Sequence, residues 1–138
     1  MRLIWNTMLI LFGAFMVTIV SLKNAGLGAP FFAFFGQIPY HDKVGHFILM
    51  GILGFLAVAA ITPRLRLPRK TASIRVMAVL VTIIALEEIS QGFLPQRTLS
   101  LSDFVFGVAG ALSFGWIAIF VTSRSPKSRD PKGDRSVP

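Results

Sequence analysis

Apolar residues along the chain gather into four long runs, separated by shorter segments rich in charged residues, glycine and proline. The runs cover residues 3–21, 44–62, 72–94 and 104–122. Each is 19 residues or longer, and about 20 apolar residues are needed to cross a hydrocarbon core of about 30 Å. Because that core holds no water to satisfy backbone polar groups, each run must be helical. The pattern predicts an all-α fold, a four-helix transmembrane bundle.

The composition favours the same class of protein. The 138 residues are 54% hydrophobic and 14% charged, and 13 phenylalanines stand against six acidic residues. An ordinary soluble domain carries about 25% charged residues, so soluble globular and disordered chains are excluded. The chain has no cysteine, which removes disulfides and thiolate chemistry. We expect neither a cofactor nor a bound metal.

The positive charges are distributed unevenly between the two ends of the predicted helices. Eleven Lys and Arg residues lie at the N-terminus, around the second loop and in the C-terminal tail, against three in the first and third loops. Segments rich in Lys and Arg stay in the cytoplasm, which predicts that both termini are cytoplasmic. The same bias accounts for most of the net charge of +8, so no nucleic-acid partner is expected.

The chain divides into a membrane domain over residues 1–122 and a basic tail over 123–138, whose Ser, Pro and charged content predicts disorder. The first helix could instead be a secretory signal. Its apolar run exceeds the 7–15 residues usual for such a signal, so we predict that it is retained. The first loop is rich in phenylalanine over 31–35, which predicts an interfacial segment or an apolar lip over an outer site.

The acidic residues and histidines outside the tail all lie in outer loops or toward the outer ends of helices. They are His41, Asp42, His46, Glu87, Glu88 and Asp103. Glu88 follows Arg75 by thirteen residues, which places it roughly 20 Å into the core. A carboxylate at that depth costs about 2.5–3.5 kcal/mol. We therefore expect Glu88 to face the bundle interior near His46 or Arg97.

These groups also have structural interpretations. Asp42 and Asp103 stand where a side-chain oxygen could cap the second and fourth helices. Glu88 could form an ion pair that only holds helices together, since small membrane bundles associate through polar groups. Gln91 lies three residues after Glu88 and shares its helix face.

The fourth helix carries a stripe of small residues. Gly107, Ala111 and Gly115 recur at every fourth position and therefore lie on one face. Small residues let two helix backbones approach closely in a membrane. The stripe predicts a packing face for another helix and no chemistry.

Two short motifs lie in order along the chain. The first is DKVGHF over 42–47, of the form D-K-x-x-H-F. The second begins with EISQ over 88–91 and has the form E-x-x-Q-x-x-x-P-x-R-x-x-S-x-x-D. Within it, Pro95, Arg97, Ser100 and Asp103 stand at the matching positions, and Gly110 follows. Together the motifs resemble the VanZ-like family of small bacterial membrane proteins, over residues 42–115.

The resemblance implies a multi-pass protein of the bacterial cytoplasmic membrane with a role at the cell envelope. The family's founding member is linked to low-level resistance to teicoplanin-type glycopeptides. The polar site implied by the resemblance consists of Asp42, Lys43, His46, Glu88, Gln91, Arg97, Ser100 and Asp103. Gly107 stands where the family commonly has asparagine, which removes a hydrogen-bonding group and indicates an altered ligand preference.

Two functions from different classes stay open. In the first, an outward-facing pocket binds a lipid-linked cell-wall intermediate, a lipoglycopeptide or a partner protein, with Lys43, His46 and Arg97 donating hydrogen bonds to its anionic groups. The alternative is an intramembrane enzyme acting on a lipid phosphate or ester at the outer leaflet. Glu88 would then be the base, His46 the acid and Arg97 the anion clamp; one variant adds a metal held by His46, Glu88 and Asp103.

Binding is favoured over catalysis because the chain has no nucleophile motif, paired-histidine metal signature or phosphate-binding loop. Membrane lipid is an expected partner under either hypothesis. A transporter would need more helices than four, which a homo-oligomer could supply, and the sequence leaves that oligomer open.

Overall fold

The computed structural model describes residues 2–27, 40–93 and 99–123. It contains four long helices, which we number in chain order: α1 (Arg2–Asn24), α2 (His41–Ile61), α3 (Arg69–Gln91) and α4 (Leu101–Ser123). A short 3-10 turn, Thr62–Arg64, follows α2. Regular structure in these ranges is entirely helical, which confirms the all-α prediction. The predictions for the Phe-rich segment, Arg97 and the tail fall outside the described residues.

The helices follow the four apolar runs, and α3 shows how their ends differ from the prediction. It begins three residues before the apolar run at 72, because Pro68 precedes it and the Pro68 carbonyl accepts the Ala72 N–H at 2.9 Å. Proline is well suited to a helix start because its φ is already fixed near the helical value. Charged Arg69 and Lys70 therefore form the first turn, which a search for apolar residues does not detect.

Three helices in the described ranges, α1, α2 and α4, are long and apolar enough to cross a membrane. This supports the prediction of a membrane protein. The 23 residues of α3 are long enough, but Arg75, Glu87 and Glu88 leave it an uncharged run over only 76–86. That run rises roughly 16 Å, about half of the hydrocarbon core. A fourth span and cytoplasmic termini therefore stay predictions.

The closest packing among the described helices joins α2 and α4. These two helices run in the same direction, because Phe47 of α2 lies beside Gly110 of α4 and Val58 lies beside Gly115. A Cβ on Gly54 of α2 would lie 2.9 Å from the Cα of Ala111, and a Cβ on Gly110 of α4 would lie 2.8 Å from the carbonyl carbon of Phe47. Neither backbone leaves room for a side chain. This close approach is the packing that small residues permit between membrane helices.

The predicted small-residue stripe on α4 is confirmed as a packing face. Ala111 is buried, and Gly107 faces the Met50 side chain of α2. Gly115 faces Met77 of α3, with a Cβ position 3.0 Å from the methionine sulfur. The stripe therefore contacts two helices rather than one. Gly110 lies outside the four-residue spacing, yet it approaches its neighbour, the Phe47 backbone, more closely than Gly107 or Gly115 approaches any atom.

The interior consists of two apolar clusters along the bundle. The first contains Met16, Met50, Leu80, Ile84 and Ala111, and the second contains Ala57, Val58, Val76, Met77 and Ala118. Helix α1 contributes less than the others: Met16 is its one buried hydrophobic side chain in the described range, and Trp5 contacts Phe55 at 5.6 Å between ring centroids. Lipid contact makes such exposure of apolar side chains favourable.

Buried hydroxyl groups join helices at the end of the bundle that carries the arginine-rich loop. The hydroxyls of Thr62 and Ser73 lie 3.4 Å apart and both side chains are buried. Arg69, at the start of α3, donates a hydrogen bond to the Thr122 hydroxyl near the end of α4. We call this end, with Arg64, Arg66, Arg69 and Lys70, the basic end.

Candidate functional site

All four acidic residues in the described ranges lie at the opposite end of the helices, which we call the polar end. They are Asp42 near the start of α2, Glu87 and Glu88 near the end of α3, and Asp103 near the start of α4. Because the helices alternate in direction, these helix ends meet on one side of the fold. The four acidic residues that the sequence analysis assigned to one end of the helices therefore lie on one side of the fold.

Glu88 is the most deeply buried ionisable side chain of the polar end, with 5% of its surface exposed. Its Oε1 accepts a hydrogen bond from the backbone N–H of Ser100 at 2.6 Å. Ser100 immediately precedes α4, and its Oγ accepts the Asp103 N–H at 3.3 Å. That bond is the one made by a helix N-cap residue.

The arrangement around Ser100 is a capping box completed from another helix. In the usual box, the acidic residue three positions after the cap accepts the cap residue's own N–H. Here that N–H is taken by Glu88 of α3, so the carboxylate of Asp103 is not needed for it. Glu88 thereby ties the end of α3 to the start of α4, at a helix N-terminus that favours negative charge.

The structure corrects the two predicted N-caps. Helix α2 begins at His41 after Tyr40, which has a left-handed backbone (φ 61°) and makes no side-chain cap. Asp42 therefore lies inside the first turn, where its Oδ1 is 3.8 Å from the Lys23 ammonium and 3.2 Å from the His41 ring nitrogen. Asp103 is likewise inside α4, because Ser100 holds the cap position. Spacing alone could not show which residue precedes each helix.

The hydrogen-bond partner that the structure gives Glu88 is neither His46 nor Arg97, the two residues predicted to lie near it. No hydrogen bond or ion pair joins His46 to Glu88 among the residues described, and His46 is half-buried on α2. Arg97 lies outside the described residues, so its proximity to Glu88 stays a prediction. Lys43 extends over the Tyr40 ring, with its Nζ 6.0 Å from the ring centroid. Sequence analysis did not identify the observed partner, the backbone N–H of Ser100. Nearly every residue has a backbone N–H, so the residue types could not indicate which one Glu88 would bind.

Gln91 is buried, and its side-chain amide donates to Glu87 rather than to Glu88. Residues four apart on a helix are well placed for such a bond. The Ser100 and Ser102 hydroxyls lie 3.0 Å apart at the start of α4. The polar end therefore holds two separate networks, one on Glu88 and Ser100 and one on Glu87 and Gln91.

An apolar cavity of about 160 Å³ adjoins Glu88 between α3 and α4. Its walls include Ala85, Ile89, Leu99 and Phe104. Within the described ranges the second carboxylate oxygen of Glu88 makes no hydrogen bond. The site thus combines one buried carboxylate with hydrocarbon walls. Leu99 and Phe104 could not be recognised from the sequence, where they resemble any other apolar residue of a membrane helix.

The metal variant of the enzyme hypothesis finds no geometric basis in the described part of the chain. No three His, Asp or Glu side chains there lie close enough to hold one ion. His46, Glu88 and Asp103, the predicted set, are among the side chains covered by that statement.

Comparison of the chain with protein-family models, curated proteins and solved structures finds no match. The class of protein is therefore defined by the features of its described residues: their regular structure is helical, three of their helices are able to cross a membrane, and their polar end is built around Glu88. The likeness to VanZ-like proteins rests on the two sequence motifs.

Proposed function

We propose that this chain is a VanZ-like, multi-pass protein of the bacterial cytoplasmic membrane whose polar end binds a lipid-linked envelope molecule or a lipoglycopeptide. The observation that supports this most is the Glu88 carboxylate, buried beside an apolar cavity and only partly used by Ser100. Ionisable side chains within membrane helices are costly and are a default indication of a functional site. The family part of the proposal is supported by the resemblance of the two sequence motifs to VanZ-like proteins.

The chemistry of the polar end suits a ligand with both a hydrocarbon chain and an anionic group. The cavity beside Glu88 accepts a short stretch of hydrocarbon, and its walls offer little to a polar headgroup. Lys43, whose ammonium could bind phosphate or carboxylate, does not line the cavity, and the sequence supplies a second cation, Arg97, three residues before Ser100. The ligand's chain would therefore enter the cavity while its anionic group stays near these cations.

Binding fits Glu88 better than general-base catalysis. A base must present its carboxylate to the proton that it removes. Oε1 of Glu88 instead accepts a backbone N–H at 2.6 Å, in a bond that also anchors α4. We therefore propose that Glu88 serves a binding site in two ways: Oε1 anchors its wall through Ser100, and the second carboxylate oxygen accepts a hydrogen bond from a donor group of the ligand. We favour this over the intramembrane enzyme.

The proposed orientation places the basic end in the cytoplasm and the polar end outside. The expected result is a periplasmically active reporter fused within residues 36–40 and a cytoplasmically active reporter fused after residue 123. The reason is the excess of Lys and Arg around the second loop and in the tail. A tail fusion active in the periplasm would reverse the geometry and place Glu88 at the inner leaflet.

The binding proposal predicts a change in drug susceptibility that depends on the charge of Glu88. Cells expressing the wild type should become less susceptible to teicoplanin-type drugs than to vancomycin-type drugs, because a site at the outer leaflet would meet the acyl-bearing ligand first. Glu88→Gln and Arg97→Leu should lose this shift at matched protein levels, measured as the minimum inhibitory concentration.

Glu87→Gln is the matched control, since it removes the same charge one residue away. It should keep the shift, because Glu87 bonds to Gln91 and does not line the cavity beside Glu88. An unchanged shift in Glu88→Gln and Arg97→Leu would mean that the polar end is scaffolding. No shift in the wild type would refute the resistance role.

A further inference from the structure

A second cavity lies in the half of the fold toward the basic end, away from the proposed ligand site. Helices α1 and α3 both pack on α2, and a groove of about 460 Å³ separates them. Its floor includes Leu53 and Ala57 of α2, and its walls include Leu9 of α1 and Val79 of α3. The volume lies within the range of about 300–1,000 Å³ typical of ligand pockets.

Among the residues that the structure describes, Arg75 is the one charged side chain that lines this groove. It is exposed and makes no hydrogen bond or ion pair with any residue that the structure describes. It follows Arg69, the first residue of α3, by six positions, so it lies roughly 9 Å along the helix from the basic end. A guanidinium with no partner among the described residues, at the edge of a groove lined by hydrocarbon, suits a ligand that has both an anionic group and a hydrocarbon chain.

The groove has the length of one leaflet. From Arg75 to Ile83, the last residue of α3 that lines it, the helix rises roughly 12 Å. Half of a hydrocarbon core is about 15 Å. The distance matches a chain that starts at the headgroup level beside Arg75 and ends near the bilayer midplane.

We infer that the groove holds one acyl chain of an anionic phospholipid, whose phosphate binds Arg75. Charge complementarity selects this occupant: Arg64, Arg66 and Lys70 surround the same end with further positive charge. A second copy of the chain in the same orientation could not supply the anion from the described ranges, because all four acidic residues there lie at the polar end. A phospholipid brings a phosphate at the required depth.

The bound lipid would hold α1 against the rest of the fold. Helix α1 has little contact with α3 across the groove, and most of its surface is exposed. An acyl chain in the groove would contact both helices at once, through Leu9 on one side and Val79 on the other. This site is independent of the polar end and of the family assignment.

The experiment is native mass spectrometry of the full chain in detergent, titrated with dioleoyl phosphatidylglycerol or with dioleoylglycerol, which has the same chains and no phosphate. The wild type should bind phosphatidylglycerol at least about fivefold more tightly than dioleoylglycerol, as expected when a charge-assisted bond to phosphate is made. Arg75→Gln should remove that preference. Val79→Trp should fill the groove and weaken binding of both lipids.

Two matched variants distinguish a specific site from general attraction. Arg66→Gln removes a charge at the basic end that does not line the groove, and Ile74→Trp places a tryptophan at an exposed position of α3 outside it. Both should bind phosphatidylglycerol like the wild type. Retained binding in Val79→Trp, an equal loss in Arg66→Gln, or a dimer that Val79→Trp abolishes would overturn the inference.

Discussion

Gly110→Ala should loosen the contact between α2 and α4 and lower the free energy of unfolding by about 1–3 kcal/mol or more, the range found for overpacked cores. A Cβ at this position would overlap the Phe47 carbonyl oxygen and lie 2.8 Å from its carbonyl carbon. A backbone atom cannot move aside as a flexible side chain can, so the two helices must separate. Gly54→Ala should act in the same direction, because its Cβ would meet the Ala111 backbone.

Gly45→Ala on α2 is the matched control, since a Cβ there has no neighbouring atom within 4 Å. Alanine in a helix is favoured over glycine by about 0.5–1 kcal/mol, so this variant should be unchanged or slightly more stable. Thermal unfolding in detergent, followed by circular dichroism, measures all three. Equal stability of Gly110→Ala and Gly45→Ala would show that α2 and α4 do not pack at this distance.

Glu88→Leu should release the start of α4 and destabilise the protein by about 1–3 kcal/mol, the penalty of leaving a buried donor without a partner. The donor is the Ser100 N–H, which belongs to the backbone and cannot be replaced together with Glu88. Replacing an ion pair by apolar residues is often neutral, but that rule requires both partners to change. Here one partner stays.

Glu88→Gln should be nearly as stable as the wild type, because an amide oxygen can still accept the Ser100 N–H. Only the attraction between a negative charge and the N-terminus of α4 is lost, about 0.3–1 kcal/mol. Hydrogen exchange over residues 100–104 should therefore accelerate in Glu88→Leu much more than in Glu88→Gln. Glu87→Leu, which loses one bond to Gln91 within the same helix, is the control. Equal exchange in all three variants would show that Glu88 does not anchor α4.

The different stability of the two Glu88 variants matters for the functional test. A lost phenotype in Glu88→Leu could reflect damage to α4, whereas Glu88→Gln removes the charge and keeps the bond to Ser100. The charge-only variant is therefore the one that separates a ligand role from a structural role.

The four apolar runs predicted the four helices of the described residues closely, and local chemistry accounts for the differences at their ends. The apolar runs identified each helix interior because burial or lipid contact requires apolar side chains over its whole length. The helix ends depend on single residues: Pro68 starts α3 ahead of its apolar run, and Ser100 rather than Asp103 caps α4. Such ends are decided by backbone bonds that extend only one turn.

For the polar end, the sequence by itself determined which residues gather at one end of the fold. When successive helices of similar length alternate in direction, the ends of α1 and α3 lie on the same side of the bundle as the starts of α2 and α4. Asp42, Glu88 and Asp103 could therefore be grouped from their positions in the sequence alone. The cost of a carboxylate in hydrocarbon likewise required Glu88 to turn inward, and it is buried.

Only the tertiary structure decided what each of these groups touches. Glu88 meets the Ser100 N–H, Asp42 meets Lys23, and Gly110 meets Phe47. Each contact joins different helices and depends on their rotation and offset, which are set by how side chains of both helices pack together. The residue types restrict what can bond or approach, and the packing of the whole bundle selects the pairs that form.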